Sequence, residues 1–373
     1  MYVAGIMSGS SVDSVDAICA DITENSKNLN IKLIAKVKSA FPCNLKSRIE
    51  LAMEEEILAK EFALLGNDIG ILFAKTIIKL QKKIGKKIKL VGSHGQTIWH
   101  SPSTGITLQI GNPAIIGAMT KAVIWSDFRS NDVALKGEGA PLAPIAHLTL
   151  FKDRIKNSAV VNLGGISNIT FIQKNATKIQ NLIAFDTGVG MRLLDIVANE
   201  LKIGPFDKNG DNAKIGKVDP KLLSRLLDEK FLKKDFPKST GRELFNKDYL
   251  RKKIGSRIKF NNSILRTLTE FTALTISLAI KQLEASGYKI GKLILTGGGA
   301  NNNFLIERIA ANLPYDEIDI LKSSDLGWPV ETVEPLLMAL MAYFAENNQK
   351  LNLSSITGAK DESIIHGMRT ALY

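Results

Sequence analysis

Apolar and polar positions alternate around turns of small residues at the start of the chain. An apolar run that includes Val3 and Ile6 enters the turn at residues 7–11, and a second run with Val15, Ala17 and Cys19 leaves it. A third apolar run covers residues 31–37. Runs of this length around a Ser- and Gly-rich turn are typical of strands. The pattern predicts an antiparallel meander of three strands.

The first turn is a candidate phosphate-binding hairpin. It contains no bulky side chain, so its backbone N–H groups can approach an anion closely. Serine hydroxyls and the carboxylates of Asp13 and Asp16 are available for phosphate oxygens or a hydrated metal ion. An ordinary hairpin turn rich in Ser and Gly is the alternative from this stretch alone.

The pattern changes after the meander. Glu50 to Ile84 has helical spacing with a break near Gly66. A short buried strand is predicted at residues 90–91, and polar side chains follow at its end. Further strands are predicted at residues 107–110 and 122–125. The segment GEGAPLAP, residues 137–144, is predicted to be the linker between an N-terminal domain, residues 1–135, and a C-terminal domain, residues 136–373.

The opening pattern recurs in the second half of the chain. Residues 159–172 again form an apolar strand, a turn with Gly164 and Gly165, and a second strand. A short strand at residues 182–185 is predicted to place Asp186 at its carboxyl end, and the apolar strand KLIL precedes a triple glycine, residues 297–299. The sequence predicts an α/β protein made of two duplicated domains, each a mixed sheet flanked by helices, that close on a nucleotide.

Composition narrows the function classes. The chain has 373 residues, a net charge of +12 and two separated cysteines, which form neither a disulfide framework nor a metal site. The positive charge comes mostly from lysines, and no aromatic residues lie among them, so no specific nucleic-acid partner is expected. No apolar run reaches the length of a membrane span, and a cytoplasmic protein with no membrane partner is expected.

Sequence motifs exclude some nucleotide folds and leave others open. Neither a Walker A pattern nor GxGxxG occurs, so the nucleotide interpretation rests on three separated glycine turns. Asp186 followed by Thr-Gly could belong to an aspartic protease, but no second Asp-Ser/Thr-Gly supplies the partner carboxylate. From the residues alone, Asp186 could also be a helix N-cap, and His94 could be a structural histidine.

Ten ordered motifs carry a resemblance that covers nearly the whole chain. They are GIMSGSSVDSVD, GSHGQTIWHSP, TLQIGNPAIIGAMT, SDFRSNDVALKGEGAPLAP, NLGGISNIT, FDTG, FDKNG, PKSTGRELFN, LTGGGANN and SITGA. Together they resemble the 1,6-anhydro-N-acetylmuramic acid kinase family. The resemblance implies two actin-like sugar-kinase domains with the ATP and sugar cleft between them, a homodimer, and the use of ATP with Mg²⁺. It also implies a reaction in which water opens the anhydro ring and O6 is phosphorylated, giving N-acetylmuramate 6-phosphate for peptidoglycan recycling.

The resemblance also assigns residues. Asp186 matches the family's general base. The hairpin residues that match its ATP-binding stretch are Gly9, Ser10, Ser11, Val12, Asp13, Ser14, Val15 and Asp16. The glycine turns predicted to face the nucleotide are Gly164, Gly165, Gly297, Gly298 and Gly299. The residues implied on the sugar side are His94, Gln96, Thr97, Arg129 and Glu334. The ligands of Mg²⁺ are not identified.

The chain departs from the family pattern at a few positions. Ser10 and Ser14 replace Thr and Gly, which keeps a hydroxyl and adds a small side chain. Val189 and Met191 replace a proline and an asparagine after the base, and we expect them to loosen the loop that aims Asp186. A catalytically weak nucleotide- or sugar-binding protein of the same fold is therefore the alternative.

Overall fold

The structure, a computed structural model, describes residues 1–9, 12–25, 28–255, 259–360 and 364–372. Its strands in chain order are β1 (Tyr2–Ser8), β2 (Ser14–Asn25), β3 (Asn28–Ala40), β4 (Leu90–Ser93), β5 (Gln96–Ser101), β6 (Ile106–Ile110), β7 (Val123–Ser126), β8 (Ser158–Leu163), β9 (Ile166–Ile172), β10 (Leu182–Val189), β11 (Lys292–Thr296), β12 (Asp319–Lys322) and β13 (Met368–Thr370). Its helices are α1 (Cys43–Met53), α2 (Ala59–Ile84), α3 (Pro113–Thr120), α4 (Ser130–Ala134), α5 (Ala143–Phe151), α6 (Arg192–Glu200), α7 (Asp211–Ile215), α8 (Pro220–Leu227), α9 (Lys247–Ile254), α10 (Asn262–Ala285), α11 (Asn303–Asn312), α12 (Val333–Glu346) and α13 (Ser354–Thr357).

Contacts between residues divide the chain into two compact units. The first unit contains residues 1–150, 178–180 and 331–373, and the second contains residues 151–177 and 181–330. The predicted boundary between residues 135 and 136 differs from this division. The segment from Gly137 to Pro144, predicted as a linker, lies within the first unit, where the backbone N of Gly139 donates to Asp132 Oδ2 at 2.7 Å. The C-terminal segment returns to the first unit because β13 pairs with β7.

The first unit is built on a sheet in the order β13, β7, β4, β1, β2, β3. Strands β1, β2 and β3 form an antiparallel meander, as predicted, whereas β1, β4 and β7 run parallel. Apolar side chains on one face of this sheet pack against α1, α2 and α3 in a single core. Successive strand residues point to opposite faces, and Gly5 and Gly92 lie on the other face, directly against the backbone of α12.

The second unit repeats this strand arrangement. Its sheet has the order β10, β9, β8, β11, β12, with an antiparallel meander of β8, β9 and β10 and parallel pairing of β8, β11 and β12. Five strands of the first unit, β3, β2, β1, β4 and β7, have the same order and directions. The predicted α/β class, with two mixed sheets flanked by helices, is confirmed, and the shared strand order supports the predicted duplication.

The long helix of the second unit is apolar along most of its length. Among the described residues, α10 is long and apolar enough to cross a membrane by length and composition alone. However, 78% of its apolar window is buried in the structure, where it packs against β10 and α11. This burial is typical of a core helix.

Two local predictions were wrong. The helical region of the first unit is not broken near Gly66, because α2 continues through this residue; a glycine inside a helix costs only about 1 kcal/mol. The break lies instead between α1 and α2, where Glu55 has a φ of 63°. Asp186 does not end its strand, because β10 continues to Val189.

Candidate active site

The hairpin between β1 and β2 is closed by local hydrogen bonding. Ser8 pairs with Val15 at the end of the ladder, and the backbone N of Val12 donates to Gly9 O at 3.2 Å. Val12 is buried and has a φ of 54°, a conformation that costs energy for a β-branched residue. The predicted nucleotide residues Ser10 and Ser11 lie outside the described residues.

The carboxylates of this hairpin already have partners in the protein. Asp13 Oδ1 accepts from Lys46 Nζ at 2.9 Å, and Asp16 Oδ2 accepts from Ser14 Oγ at 2.9 Å. Burial raises the pKa of Asp16, while the nearby Lys38 lowers it. The hydroxyl that Ser14 adds relative to the family pattern is therefore used to orient Asp16.

The loop after β4 lies beside the hairpin. His94 N donates to Ile6 O at 3.0 Å, and Ser8 Oγ donates to Gln96 Oε1 at 2.7 Å. Thr97 follows in β5, where it pairs with Gln109. These bonds bring the predicted phosphate hairpin and the predicted sugar-side residues of the first unit together, because β1 and β4 are adjacent parallel strands.

Buried His94 forms a polar pair with half-buried Arg129. Arg129 Nε and one terminal nitrogen lie 3.2 and 3.1 Å from His94 Nε2. His94 Nδ1 lies 3.1 Å from the carbonyl of Gly95. Burial, with the charge of Arg129, lowers the pKa of His94 to about 3, so the imidazole is neutral at physiological pH. A neutral ring that carries its proton on Nδ1 accepts from Arg129 at Nε2.

The guanidinium of Arg129 is held from a second side. Its other terminal nitrogen donates to Gly139 O at 2.8 Å. Gly139 N donates in turn to Asp132 Oδ2 at 2.7 Å, and Thr357 Oγ1 donates to Asp132 Oδ1 at 2.7 Å. Burial lowers the pKa of Arg129 to about 10, and the negative charges of Glu334 and Asp132 oppose this change. Glu334, in the first turn of α12, is thus electrostatically coupled to Arg129.

Asp186 lies in the second unit at an irregularity of β10. The register of β10 against β9 shifts between Asp186 and Gly188, and Gly188 has a φ of 140°, which favours glycine. Asp186 N donates to Lys238 O at 3.0 Å, and Thr240 N donates to Asp186 Oδ2 at 2.8 Å. Burial raises the pKa of Asp186 to about 7; the Thr240 hydrogen bond lowers it and the charge of Glu243 raises it. A carboxylate with this pKa can accept a proton from water at neutral pH.

The glycine turns of the second unit lie next to the segment that follows Asp186. Gly190 N donates to Gly165 O at 3.0 Å, and Met191 N donates to Gly164 O at 2.8 Å. A Cβ on Gly190 would lie only 2.2 Å from Gly164 O, so only glycine allows this approach. The structure therefore places the turn at Gly164 and Gly165 against Gly190 and Met191, which follow Asp186 by four and five residues.

The triple glycine, residues 297–299, lies next to Met191 of the same segment. Gly297 has a φ of 78°, and a Cβ on Gly299 would lie 2.7 Å from Met191 Sδ. A Cβ on Gly298 would meet no described atom within 4 Å. The backbone at Gly298 is therefore open to a ligand, whereas Gly297 and Gly299 are needed for packing.

Comparisons with known proteins match nearly the whole chain and so include both units. A family model described as anhydro-N-acetylmuramic acid kinase matches residues 1–370. The protein of that name from Bacillus cereus (strain AH187) is 35% identical over 375 residues, 98% of each chain. The chain belongs to the anhydro-N-acetylmuramic acid kinase family. The relative from Bacillus thuringiensis (strain Al Hakam) is 36% identical over 377 residues, covering 98% of this chain and 97% of that one.

Solved structures are more distant. Component A of (R)-2-hydroxyglutaryl-CoA dehydratase from Acidaminococcus fermentans is 13% identical, with a TM-score of 0.47 over 92% of this chain and 98% of that chain. A likeness this weak does not bear on function. Membership of the anhydro-N-acetylmuramic acid kinase family shows that the chain is an enzyme, a kinase.

The two residues of this family member that depart from the pattern after Asp186 both have packing partners. Val189 is buried at the end of β10, where it pairs with Ile166. Met191 is held through its backbone by Gly164 and packs over Gly299. Apolar packing and strand pairing thus hold the positions where the family pattern has a proline and an asparagine.

Several residues that hold the site were not singled out from the sequence. They are Asp132, Gly139, Thr357, Lys238 and Thr240. Each lies in a motif that carries the family resemblance, which is the signal that could have found them. No group of three or more His, Cys, Asp or Glu side chains suited to a metal ion occurs in the part of the chain that the structure describes.

Proposed function

We propose that this kinase opens the 1,6-anhydro ring of anhydro-N-acetylmuramic acid with water and phosphorylates O6, giving N-acetylmuramate 6-phosphate and ADP. The observation that carries the proposal is the family match over residues 1–370. The carboxylate of Asp186, held by the Thr240 amide with a pKa of about 7, supports it chemically. Peptidoglycan recycling is the proposed context.

Asp186 is the proposed general base. It takes a proton from the water that attacks C1; the bond from C1 to O6 breaks, and O6 receives the γ-phosphoryl group of ATP as ADP leaves. A placed base is typically worth about 10² to 10⁴ in rate. The phosphoryl transfer depends mainly on positioning and charge neutralisation. One carboxylate therefore supplies the proton chemistry of the ring-opening step.

The residues proposed to lie on the sugar side are His94, Gln96, Thr97, Arg129 and Glu334. Both ring nitrogens of His94 are engaged, by Arg129 and by the Gly95 carbonyl. His94 is therefore proposed to orient Arg129 rather than to transfer a proton. The Arg129 guanidinium then provides fixed donors for an anionic or hydroxyl group of the sugar.

The proposed ATP contacts are the β1–β2 hairpin and the glycine turns. Gly298 fits a phosphate or nucleoside because a side chain there would fill open space next to the backbone. Gly165 is similarly open, since a Cβ there would meet only Arg192 Cβ, at 3.8 Å. Backbone amides at such positions suit anionic oxygens.

Mg²⁺ is proposed as the metal. It would neutralise phosphate charge, and it is usually held by one or two carboxylates with substrate phosphates and waters. The described residues fit that mode rather than a protein cage, because they contain no group of three acidic or histidine ligands. The ion pair of Asp13 with Lys46 shows that this carboxylate already has a cationic partner.

The proposal is tested by product analysis. Purified protein is incubated with Mg-ATP and with or without anhydro-N-acetylmuramic acid, and ADP and sugar products are measured by mass spectrometry. We expect ADP only with the sugar, in equal amount to a product whose mass is that of the sugar plus water plus one phosphoryl group. ATP binding without sugar-dependent ADP would instead support a catalytically weak binding protein, which the family match does not favour.

The pH dependence of activity follows from the pKa of Asp186. A general base acts when deprotonated, and burial raises this pKa to about 7, so kcat/KM is expected to rise with pH and reach half its plateau near pH 7. Initial rates are measured at several pH values with excess Mg²⁺, after incubation at each pH to exclude unfolding. A profile that is flat from pH 5.5 to 8.5, about three pH units around the expected midpoint, would contradict this assignment.

A cytoplasmic location is proposed from the sequence, and a homodimer from the family resemblance. Two free cysteines, buried Cys19 and exposed Cys43, are compatible with a reducing compartment. The proposed partners are the amino sugar and ATP. Sedimentation equilibrium of the full chain tests the dimer, and fractionation of the source cell tests the compartment.

A further inference from the structure

Lys238 lies next to the proposed base, but its ammonium is bound elsewhere. Lys238 Nζ donates to Leu232 O at 3.3 Å, to Lys234 O at 2.9 Å and to Gln282 Oε1 at 3.0 Å. A lysine ammonium has three N–H donors. These three acceptors therefore use all of them, and none remains for a phosphate oxygen.

Two aromatic rings lie near the same ammonium. Lys238 Nζ lies 5.7 Å from the ring centroid of Phe185 and 5.4 Å from that of Phe231. Phe236 stacks on Phe185 with a centroid distance of 5.0 Å. Cation–π attraction thus adds to the hydrogen bonds, and Phe185 directly precedes the proposed base. The side chain ties the loop at residues 236–241 to β10, α10 and the 3-10 turn Lys230–Lys233.

The backbone of this loop holds Asp186 at two points. Lys238 O accepts from Asp186 N, and two residues later Thr240 N donates to the Asp186 carboxylate. The orientation of the carboxylate therefore depends on the position of a loop with no helix or strand of its own. The hydrogen bonds of the Lys238 ammonium connect that loop to the rest of the unit.

We propose that Lys238 is a positioning residue for the kinase reaction, acting through the loop at residues 236–241 to hold the Asp186 carboxylate. This rests on the proposed function, in which Asp186 is the base. A lysine close to the base of a kinase would otherwise be taken as a phosphate ligand. The two roles predict different kinetic effects, because a phosphate ligand contributes to ATP binding and a positioning residue contributes to proton abstraction.

The test variant is Lys238→Met, which keeps an unbranched side chain and removes the ammonium. We expect kcat to fall about tenfold or more, the usual effect of losing one hydrogen bond to a charged group, with KM for ATP unchanged. The acidic limb of the pH profile should move about one pH unit upward, since the Thr240 hydrogen bond lowers the pKa of Asp186. The charge of Glu243, which also acts on Asp186, is unchanged in the variant.

A second variant and a matched control accompany it. Gln282→Leu removes one acceptor of the ammonium from α10, together with the bond from Gln282 Nε2 to Lys234 O at 3.2 Å, and should shift kcat and the pH limb in the same direction by less. The control is Lys233→Met. Lys233 lies on the neighbouring turn and forms an ion pair with Asp228, in which both side chains are more than half exposed. Its kinetics should match those of the parent.

Hydrogen exchange provides a readout that does not need activity. Amides of the peptide containing residues 236–241 should exchange faster in Lys238→Met than in the parent and the Lys233 control. Unchanged exchange in Lys238→Met and Gln282→Leu would overturn the proposal. A raised KM for ATP with unchanged kcat would also overturn it, in favour of a phosphate ligand. If the parent forms no sugar-dependent ADP, the proposed function fails, and faster exchange still shows that Lys238 holds the loop.

Discussion

The Asp186→Asn variant is expected to lose sugar-dependent ADP formation by about 10² to 10⁴-fold, the range typical of removing a general base. The amide has nearly the same shape as the carboxylate, and its oxygen can still accept from Thr240 N. It cannot, however, take a proton from the attacking water. The measurement is kcat at saturating Mg-ATP and sugar, at a pH above the acidic limb.

Stability provides the control for this variant. Burial raises the pKa of Asp186 from 3.8 to about 7, so the folded state binds more protons than the unfolded state between these values. The stability contributed by the parent carboxyl therefore falls as pH rises through that window. Asn cannot ionise, so at pH 8 the Tm of the variant should equal or exceed that of the parent. Full activity in a folded Asp186→Asn protein would exclude Asp186 as the base.

The Gly92→Ala variant is expected to be strongly destabilised. Gly92 pairs with Gly5 in the first sheet, and a Cβ on Gly92 would lie 1.9 Å from Met338 O of α12. Backbone atoms of a strand and a helix would have to separate, and overpacking of this kind typically costs about 1 to 3 kcal/mol and sometimes more. We expect a loss of about 3 kcal/mol or more in the free energy of unfolding, measured by urea titration, or a loss of soluble protein.

Gly66→Ala is the matched control for this substitution. Gly66 lies inside α2, and a Cβ there would meet no described atom within 4 Å. Because alanine is favoured over glycine in a helix, this variant should be stabilised by about 0.5 to 1 kcal/mol. Equal stability of Gly92→Ala and the parent would show that α12 does not lie against the sheet as closely as the structure places it.

Local patterns predicted the elements well and their ends less well. The meander at the start of the chain and its repeat at β8 and β9 were predicted because strand alternation and small-residue turns are encoded by neighbouring residues. The continuation of β10 past Asp186 was missed, because Asp and Gly after an apolar run usually mark the end of a strand. The continuity of α2 through Gly66 was missed because this helix is stabilised by packing against the sheet, which the sequence of the helix alone does not show.

For the candidate site, too, the sequence predicted the residues but not the contacts between them. Motif order identified Asp186, the glycine turns and Arg129 as candidates. It did not show that Thr240 and Lys238 hold Asp186, or that both nitrogens of His94 are engaged. It also suggested that Val189 and Met191 loosen the segment after the base. Burial of Val189 and the bond from Met191 N to Gly164 O show how this segment is held.

The sequence by itself determined the α/β class, the duplication, the family and the chemical types of the candidate residues. Each of these depends on alternation, turns or motifs formed by residues that are close together in the chain. The tertiary structure decided which groups act on one another. Thr357 and Asp132 are 225 residues apart in the chain, and Asp186 and Thr240 are 54 apart. Hydrogen bonding and burial depend on such distant neighbours, and so does the pKa of the proposed base, because only the folded chain removes a carboxyl group from water.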